Sequence, residues 1–294
     1  LFSLASYYAL INISNYKIFY YYSLILLISI FIIDGYYQYF FGKNLLGYVY
    51  DGTRLSSFFN DELILGSYLS KLSIFFLSIF FFFYNNNKYL SAYSIFIITL
   101  TFGLIILSGE RTSIIITILA ILLILISINV KFIYKSSFLV LLIILFFGII
   151  QSNNSLYNRL IELTKNEFLD VQTNFIPITH LPIYKTSLNI FKDNPILGIG
   201  PKNFREVCKN ERYNISIKNH SSHEFALPGC SSHSHNTYLQ LLTETGLLGL
   251  LPVFVVFLLL SYLIFKHIFF NIFFNQPIFN NSQILLLIFY FLIL

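Results

Sequence analysis

Residues 247–265 read LLGLLPVFVVFLLLSYLIF, a run without a charged side chain. A helix that crosses the hydrocarbon core of a bilayer needs about 20 apolar residues, so this run predicts a membrane span. The stretch directly before it, residues 230–246, reads CSSHSHNTYLQLLTETG and contains two histidines. Asn236 is placed to cap a short helix through its side-chain oxygen, and Gly246 can end that helix in the left-handed conformation. The pattern predicts a polar, titratable cluster at the mouth of a membrane span.

Apolar runs of the same kind recur along the whole chain. They occupy residues 18–33, 63–83, 91–108, 112–130, 132–150 and 283–294. Of the 294 residues, 56% are hydrophobic and only 11% are charged, with a mean hydropathy of +0.73, whereas a soluble domain has roughly 25% charged residues. We therefore predict an all-α, polytopic transmembrane helical bundle. The formal charge of +5 forms no clustered basic stripe, which argues against a nucleic-acid partner.

The short loops between the apolar runs alternate in charge. One set holds only bases, namely Lys17, Lys88, Lys131, Lys135 and Lys266. The opposite set holds the acids Asp34, Asp51, Asp61, Glu62 and Glu110, with the bases Lys43, Arg54 and Arg111. Since cytoplasmic loops are enriched in Lys and Arg, the first set is predicted to face the cytoplasm. Residues 1–150 and 247–294 then form two membrane regions, each made of transmembrane helices and short loops. We expect further spans beyond both ends of the chain. Residues 151–246 form one large loop outside.

This outer loop is long enough to fold as a small helical cap. Residues 182–191 predict one amphipathic helix, with Tyr184, Leu188 and Phe191 on a common face, before a turn at Asp193-Asn-Pro. Residues 237–245 predict a second helix. The only cysteines, Cys208 and Cys230, both fall in this loop, and an oxidising compartment favours a disulfide between them over two free thiols.

Several cations gather at the predicted outer end of the spans. They are Arg54, Arg111, Arg159, Arg205 and, about two turns into its span, Lys71. Arginine fits diphosphate oxygens with its planar, two-pronged fork. Arg111 is the strongest candidate because it lies in a very short polar turn between two spans. Its alternative role is a structural pair with Glu110 or a headgroup anchor, and Lys71 can alternatively snorkel towards the surface.

The histidines favour acid–base chemistry over metal binding. His235 suits a general base, since imidazole titrates near neutral pH; the alternative is a histidine that only closes the loop. Four histidines (His220, His223, His233 and His235) and the two cysteines invite a zinc interpretation, but their spacing fits no standard ligand pattern and the cysteines have a simpler partner in each other. We predict neither a metal site nor a cofactor. The glycine turn GIGPKNF at 198–204 lacks the context of a dinucleotide-binding motif and is expected to aim Lys202 and Arg205.

Three groups of motifs, in this order along the chain, resemble the O-antigen ligase and O-antigen polymerase family of bacterial envelope proteins. They are DGYYQYFFG (34–42) with RLSSFFNDELILGSYLSK (54–71), LSGERT (107–112), and DNPILGIGPKNFR (193–205) with HNTYLQLLTETG (235–246). The resemblance implies a metal-independent glycosyltransferase of the polytopic helical, GT-C-like type in the bacterial inner (cytoplasmic) membrane, with its large loop in the periplasm. The donor would be a glycan on undecaprenyl diphosphate, and the acceptor the lipid A core (ligase) or a second carrier-linked glycan (polymerase).

The resemblance also implies roles for individual residues. Arg111 would bind the diphosphate and His235 would serve catalysis, with Lys71, Arg54, Lys185, Arg205 and Asn236 as substrate-binding candidates. Family members commonly have His-Pro-His-Asn where this chain has Ser234 in the middle position, a change expected to loosen the turn. Many members also have an arginine in the helix before the Asp-Asn-Pro turn. This chain offers His180 and Lys185 there, so Lys185 or Arg205 would substitute.

Two other classes of function stay open at this point. One is a polytopic transporter of a small anion or a lipid-linked saccharide without glycosyl transfer, although transporters place ionisable groups near mid-membrane and here only Lys71 is clearly intramembrane. The other is a non-catalytic cap that binds a partner in polysaccharide export. Loss of transfer in a His235→Ala variant of normal abundance would separate the enzyme from both.

Overall fold

A computed structural model of the protein describes residues 14–83, 88–128, 130–165, 180–215, 217–218 and 226–293. The long helices are α1 (Ser14–Phe41), α2 (Leu65–Phe83), α3 (Lys88–Leu107), α4 (Arg111–Ser127) and α5 (Phe132–Ser152), followed later by α9 (Thr237–Phe274) and α10 (Asn281–Ile293). Between them lie α6 (Asn154–Tyr157), a π turn at Asn158–Glu162, α7 (Leu181–Asp193) and α8 (Phe204–Val207). The strands β1 (Ile217–Lys218) and β2 (Ala226–Leu227) form one antiparallel pair. Each of the seven predicted spans corresponds to one of the long helices.

The helices have the length and composition of a membrane protein. Within the described residues, three helices are long and apolar enough to cross a bilayer, namely Tyr21–Phe41, Phe132–Ser152 and Thr237–Phe274. The shorter apolar helices are Leu65–Phe80, Ala92–Leu107, Arg111–Ser127 and Gln283–Leu292. The prediction of a helical membrane protein is thereby confirmed. The orientation of the spans stays a prediction.

The chain forms two compact units, residues 1–161 with 260–294 and residues 162–259. We call them the bundle unit and the cap unit. Their boundaries differ from the division at 150 and 246 drawn from the sequence, which stays a prediction about where the membrane regions end.

The bundle unit is built around α2. Tyr21, Leu69, Phe76 and Leu104 are buried where α1, α2 and α3 meet, and the rings of Tyr21 and Phe76 stack with centroids 5.6 Å apart. A second cluster joins α2 and α4 to α10 and residue Ile264, and a third joins α3, α4 and α5. These apolar contacts hold the short turn between α3 and α4 in a fixed position.

Helix α1 continues past the predicted end of its span at residue 33. It runs to Phe41, and Asp34 is fully buried inside it. A buried carboxylate must be paired or hydrogen-bonded, and donors from the following loop satisfy this one, so the charge does not end the helix. The apolar run that ends at residue 33 is therefore eight residues shorter than the helix at this end.

A polar contact in the bundle unit joins α9 to the C-terminal end of α4 and to the segment before α10. His267 is fully buried; its Nε2 lies 3.0 Å from the carbonyl oxygen of Ser127, and its Nδ1 accepts from the N–H of Phe279 at 3.1 Å. The acceptor role of Nδ1 fixes the neutral tautomer with the proton on Nε2. This ring thus satisfies a carbonyl at the end of α4 and an N–H just before α10.

Candidate active site

A turn at residues 108–110 joins α3 to α4 in the bundle unit. The N–H of Gly109 donates to the carbonyl of Ile106 at 3.0 Å, so the turn closes directly on the end of α3. Gly109 has a φ of 65°, in the left-handed region that glycine enters without steric cost. A Cβ at this position would lie 3.2 Å from Cδ of Arg159 and 3.3 Å from Cγ of Arg54. The missing side chain therefore lets two arginines approach the same backbone.

These two arginines bind successive carbonyls of the turn. Nε of Arg54 donates to Ser108 at 3.2 Å, and Nε of Arg159 donates to Gly109 at 2.9 Å. Nη2 of Arg54 also donates to the carbonyl of Leu63 at 2.8 Å. Arg159 lies in the π turn, a rare helical geometry that is frequent at functional sites. We call residues 108–110 with Arg54 and Arg159 the arginine turn.

Glu110 ties the arginine turn to the start of α2. Its two carboxylate oxygens accept from the N–H groups of Gly66 (2.8 Å) and Ser67 (3.0 Å), and one also accepts from the hydroxyl of Ser113 (2.9 Å). A carboxylate is favourable at a helix N-terminus, where N–H groups lack helical partners. Glu110 also lies 3.8 Å from Nη2 of Arg54. It therefore positions the turn and balances one positive charge.

The two guanidinium groups of the arginine turn lie close enough to repel each other. Burial lowers the pKa of Arg54, the nearby charge of Arg159 lowers it further, and Glu110 and Asp51 oppose both effects. Two guanidinium groups that repel each other, with Glu110 as the carboxylate paired to the turn, form a favourable place for an anion. Arginine binds the oxygens of a phosphate ester through parallel N–H groups.

The loop that carries Arg54 is fixed by α1. The buried carboxylate of Asp34 accepts from Nδ2 of Asn44 at 3.3 Å and from the hydroxyl of Ser57. One turn later, the side-chain oxygen of Gln38 accepts from the N–H of Ser57 at 2.7 Å. These bonds hold the loop at both ends and so preorganise the arginine within it.

In the cap unit, three histidine rings come together. The ring centroids of His233 and His235 are 4.1 Å apart, and those of His180 and His235 are 5.1 Å apart. Partial burial lowers the pKa of His235, and the neighbouring His233 and His180 lower it further. Among the described residues, no group of three or more His, Cys, Asp or Glu is arranged to hold a metal ion. His220 and His223 lie outside the described residues.

The turn that presents His235 is well anchored. His235 has a φ of 52°, and the side chain of Asn236 caps α9 by accepting from the N–H of Leu239 at 3.0 Å. Ser234 is fully buried, and its hydroxyl donates to the carbonyl of Asn236 at 3.1 Å. The expectation that Ser234 loosens this turn relative to a proline stays a prediction; in the structure its hydroxyl adds a hydrogen bond within the turn.

The glycine turn packs backbone against backbone on α9. The N–H groups of Ile199 and Gly200 donate to the carbonyls of Thr243 (3.1 Å) and Glu244 (2.8 Å). At Gly246, α9 is interrupted by a non-helical residue with a φ of 63°, as expected from the sequence. A Cβ on Gly246 would lie 2.3 Å from the carbonyl oxygen of Ile196. The glycine turn thus packs against the helix that follows residues 230–236, which we call the histidine segment, and its backbone bonds to α9 are not evident from the sequence.

Helix α7 buries a different face from the one predicted. Ile183, Ser187 and Ile190 are buried, whereas Leu188 is exposed. Small polar side chains can join the buried face because they bond locally: the hydroxyl of Ser187 donates to the carbonyl of Ile183 at 2.9 Å. Counting only large apolar residues therefore shifted the predicted face. Cys208, fully buried in the same cluster, forms a disulfide with Cys230, with Cα atoms 5.1 Å apart.

The structure places the remaining predicted site residues as follows. Arg111 is the first residue of α4 and is half-buried. Exposed side chains are those of Lys71 on α2, Lys185 on α7 and Arg205 on α8. Lys202 is exposed as well.

Two residues near the candidate site were not selected from the sequence. In the sequence, Arg159 stands out only as one of the outer cations, because a π turn leaves no readable sequence pattern. His180 stands out there only as a replacement for an arginine. Its position two residues before Pro182 is a usable signal, since a proline in the first turn places His180 at the start of a helix.

One known protein family matches the part of the chain that contains residues 108–110 and 230–246. The protein-family model described as O-antigen ligase matches residues 94–254, more than half of the chain. The chain belongs to the O-antigen ligase family. The match includes the arginine turn except Arg54, together with the glycine turn and the histidine segment. No curated protein and no solved structure matches the chain.

Membership of the O-antigen ligase family confirms the resemblance drawn from the sequence. The family and the apolar helices make this chain a membrane protein of lipopolysaccharide biosynthesis with a ligase- or polymerase-type glycosyltransferase function. Its substrates are lipid-linked glycans in general terms. The roles of single residues stay predictions.

Proposed function

We propose that this protein transfers a glycan from undecaprenyl diphosphate to a hydroxyl group of an acceptor in O-antigen assembly, on the periplasmic side of the bacterial inner membrane. The acceptor is the lipid A core or a second carrier-linked glycan. The family match carries the reaction class, and the arginine turn supports a diphosphate as the leaving group.

The first physical requirement is neutralisation of the leaving group. When the bond between the anomeric carbon and the diphosphate breaks, negative charge develops on the phosphate oxygen. Fixed cations stabilise such charge without reorganisation during the reaction. Arg54 and Arg159 are fixed through their Nε atoms, and Arg111 begins the adjoining helix. In this proposal the three arginines hold the diphosphate without a metal ion.

The second requirement is activation of the acceptor hydroxyl. His235 accepts the hydroxyl proton while the oxygen forms its bond to the anomeric carbon. A lowered pKa suits this role, because more of the imidazole is neutral at a given pH. Asn236 supports it by capping α9 next to the histidine. Lys71, Lys185 and Arg205 remain proposed substrate contacts.

The test is transfer by the purified full chain in detergent. Carrier-linked glycan is offered with lipid A core or with a second carrier-linked glycan, and the products are separated on a gel. His235→Ala should lose about 10²- to 10⁴-fold in rate, the usual contribution of a general base, and Arg111→Lys should lose most transfer while staying in the membrane. Lys192→Gln, which removes an exposed cation of the cap unit, is the control with an unchanged rate.

Three results would contradict the proposal. The first is wild-type transfer by the His235→Ala and Arg111→Lys variants. The second is transport of carrier-linked glycan without any new glycosidic product. The third is loss of activity in a chelator, which would remove the metal-independent mechanism.

A further inference from the structure

The histidine cluster draws its rings from two segments of the cap unit. His233 and His235 belong to the segment before α9, whereas His180 directly precedes α7. The planes of His180 and His235 are tilted by 34°, with centroids 5.1 Å apart. His180 therefore packs against the ring that we propose as the base.

The ring of His180 is held from a second direction. Tyr184, one turn into α7, stacks on it with an interplanar angle of 18° and a centroid distance of 6.1 Å. Nδ1 of His180 is buried and has no hydrogen-bond partner among the described residues. Within the described residues, the side-chain contacts that fix this ring are therefore the rings of Tyr184 and His235.

Two other imidazoles lie close to His235. Within the described chain, the charged groups that act on His235 are His233 from its own segment and His180 from the start of α7, and both lower its pKa. Tyr184 is the titratable group that packs behind His180. Since like charges at short distance disfavour each other, a proton on one ring opposes protonation of the next.

We propose that His180 is a positioning residue for His235, which holds the imidazole in place and keeps it neutral until it accepts the acceptor proton. This inference rests on the proposed function. In the step that it serves, the hydroxyl O–H bond breaks and its proton moves to a ring nitrogen of His235. The hydroxyl oxygen bonds to the anomeric carbon, and the bond to the diphosphate breaks with its electron pair left on the phosphate oxygen.

The first measurement is the pH dependence of kcat for the full chain and two variants. His180→Gln removes the ring and its charge, whereas His180→Phe keeps an aromatic ring against Tyr184 without a charge. Both should move the acidic limb of the profile to higher pH, because the loss of repulsion raises the pKa of His235. The plateau should fall by about tenfold or less, since the base itself remains. Lys192→Gln, a charge removed from the far end of the same helix, should leave the limb in place.

The second measurement does not depend on transfer. Diethyl pyrocarbonate modifies neutral imidazole, so its reaction with His235, located by fragmentation mass spectrometry, reports the neutral fraction at each pH. In both His180 variants this reaction should need a higher pH than in the wild type. Profiles that coincide with the wild type in both assays would overturn the inference. Wild-type transfer by His235→Ala would instead refute the proposed base, while the modification assay still tests the influence of His180.

Discussion

The contact of two arginines with Gly109 predicts the effect of a single methyl group. In Gly109→Ala, the new Cβ would lie 3.2–3.3 Å from Arg159 and Arg54 side-chain atoms, at a residue with a φ of 65°. The left-handed conformation costs a non-glycine residue about 1–2 kcal/mol. The crowding must also move at least one guanidinium by a few tenths of an ångström. Bonds of 2.9 Å and 3.2 Å to the turn then lengthen.

The size of the effect follows from those bonds. A hydrogen bond that involves a charged group contributes about 1.5–3 kcal/mol, and every 1.4 kcal/mol is about tenfold. Displacement of one arginine should therefore lower kcat/KM for the donor by roughly ten- to hundredfold. The matched control is Gly47→Ala, because Gly47 also has a positive φ, 91°, but a Cβ there meets nothing within 4 Å. It should lose stability to a similar degree and keep its transfer activity.

The assay compares transfer at low donor concentration with thermal unfolding for both variants. The expected result is a similar fall in unfolding temperature and a selective loss of kcat/KM in Gly109→Ala. Equal kcat/KM in the two variants would refute the reasoning, since positive φ alone would then explain every consequence of the substitution.

Three further predictions concern the cap unit and the bundle. Gly246→Ala places a Cβ 2.3 Å from the backbone oxygen of Ile196 and should destabilise the cap unit by about 3 kcal/mol or more. Limited proteolysis measures this loss. The control is Gly148→Ala, because a Cβ at that position meets no atom within 4 Å. His267→Phe leaves the N–H of Phe279 without its acceptor, at about 1–3 kcal/mol, whereas the carbonyl of Ser127 keeps the bond from Nδ2 of Asn271 at 3.3 Å. The unfolding temperature should fall while kcat at low temperature stays unchanged. Because the pKa of His235 is lowered from 6.5, its neutral form persists below that pH. The acidic limb of the transfer rate should therefore have its midpoint below pH 6.5, and a midpoint above pH 6.5 would contradict this assignment.

The sequence predicted the helices well because apolar runs report the bilayer directly. It placed all seven long helices of the described residues, a helix at 182–191 where the structure has Leu181–Asp193, and the interruption at Gly246. It missed the extension of α1 to Phe41, since a charged residue such as Asp34 ends an apolar run even when loop donors satisfy its carboxylate. The length of a helix with a satisfied buried charge depends on contacts that are distant in sequence.

The candidate site was only partly predictable for the same reason. The motif around Arg111 includes the turn at residues 108–110, but the arginines that contact Gly109 come from positions 54 and 159, which share no local pattern. His235 stood out through its His-Asn motif, whereas His180 joins it only through the packing of α7. The buried face of α7 was misjudged because Thr186 and Ser187 are polar and yet fully buried.

Binding of undecaprenyl diphosphate to the purified protein tests the central claim most directly. The affinity of the wild type is compared with that of the double variant Arg54→Gln/Arg159→Gln and of Lys43→Gln, which removes an exposed cation from the same loop. We predict a loss of about a hundredfold or more for the double variant, from at least one charge-assisted bond per arginine, and wild-type affinity for Lys43→Gln. Equal affinity of all three proteins would contradict the account, because the arginine turn would then not be the place that holds the diphosphate.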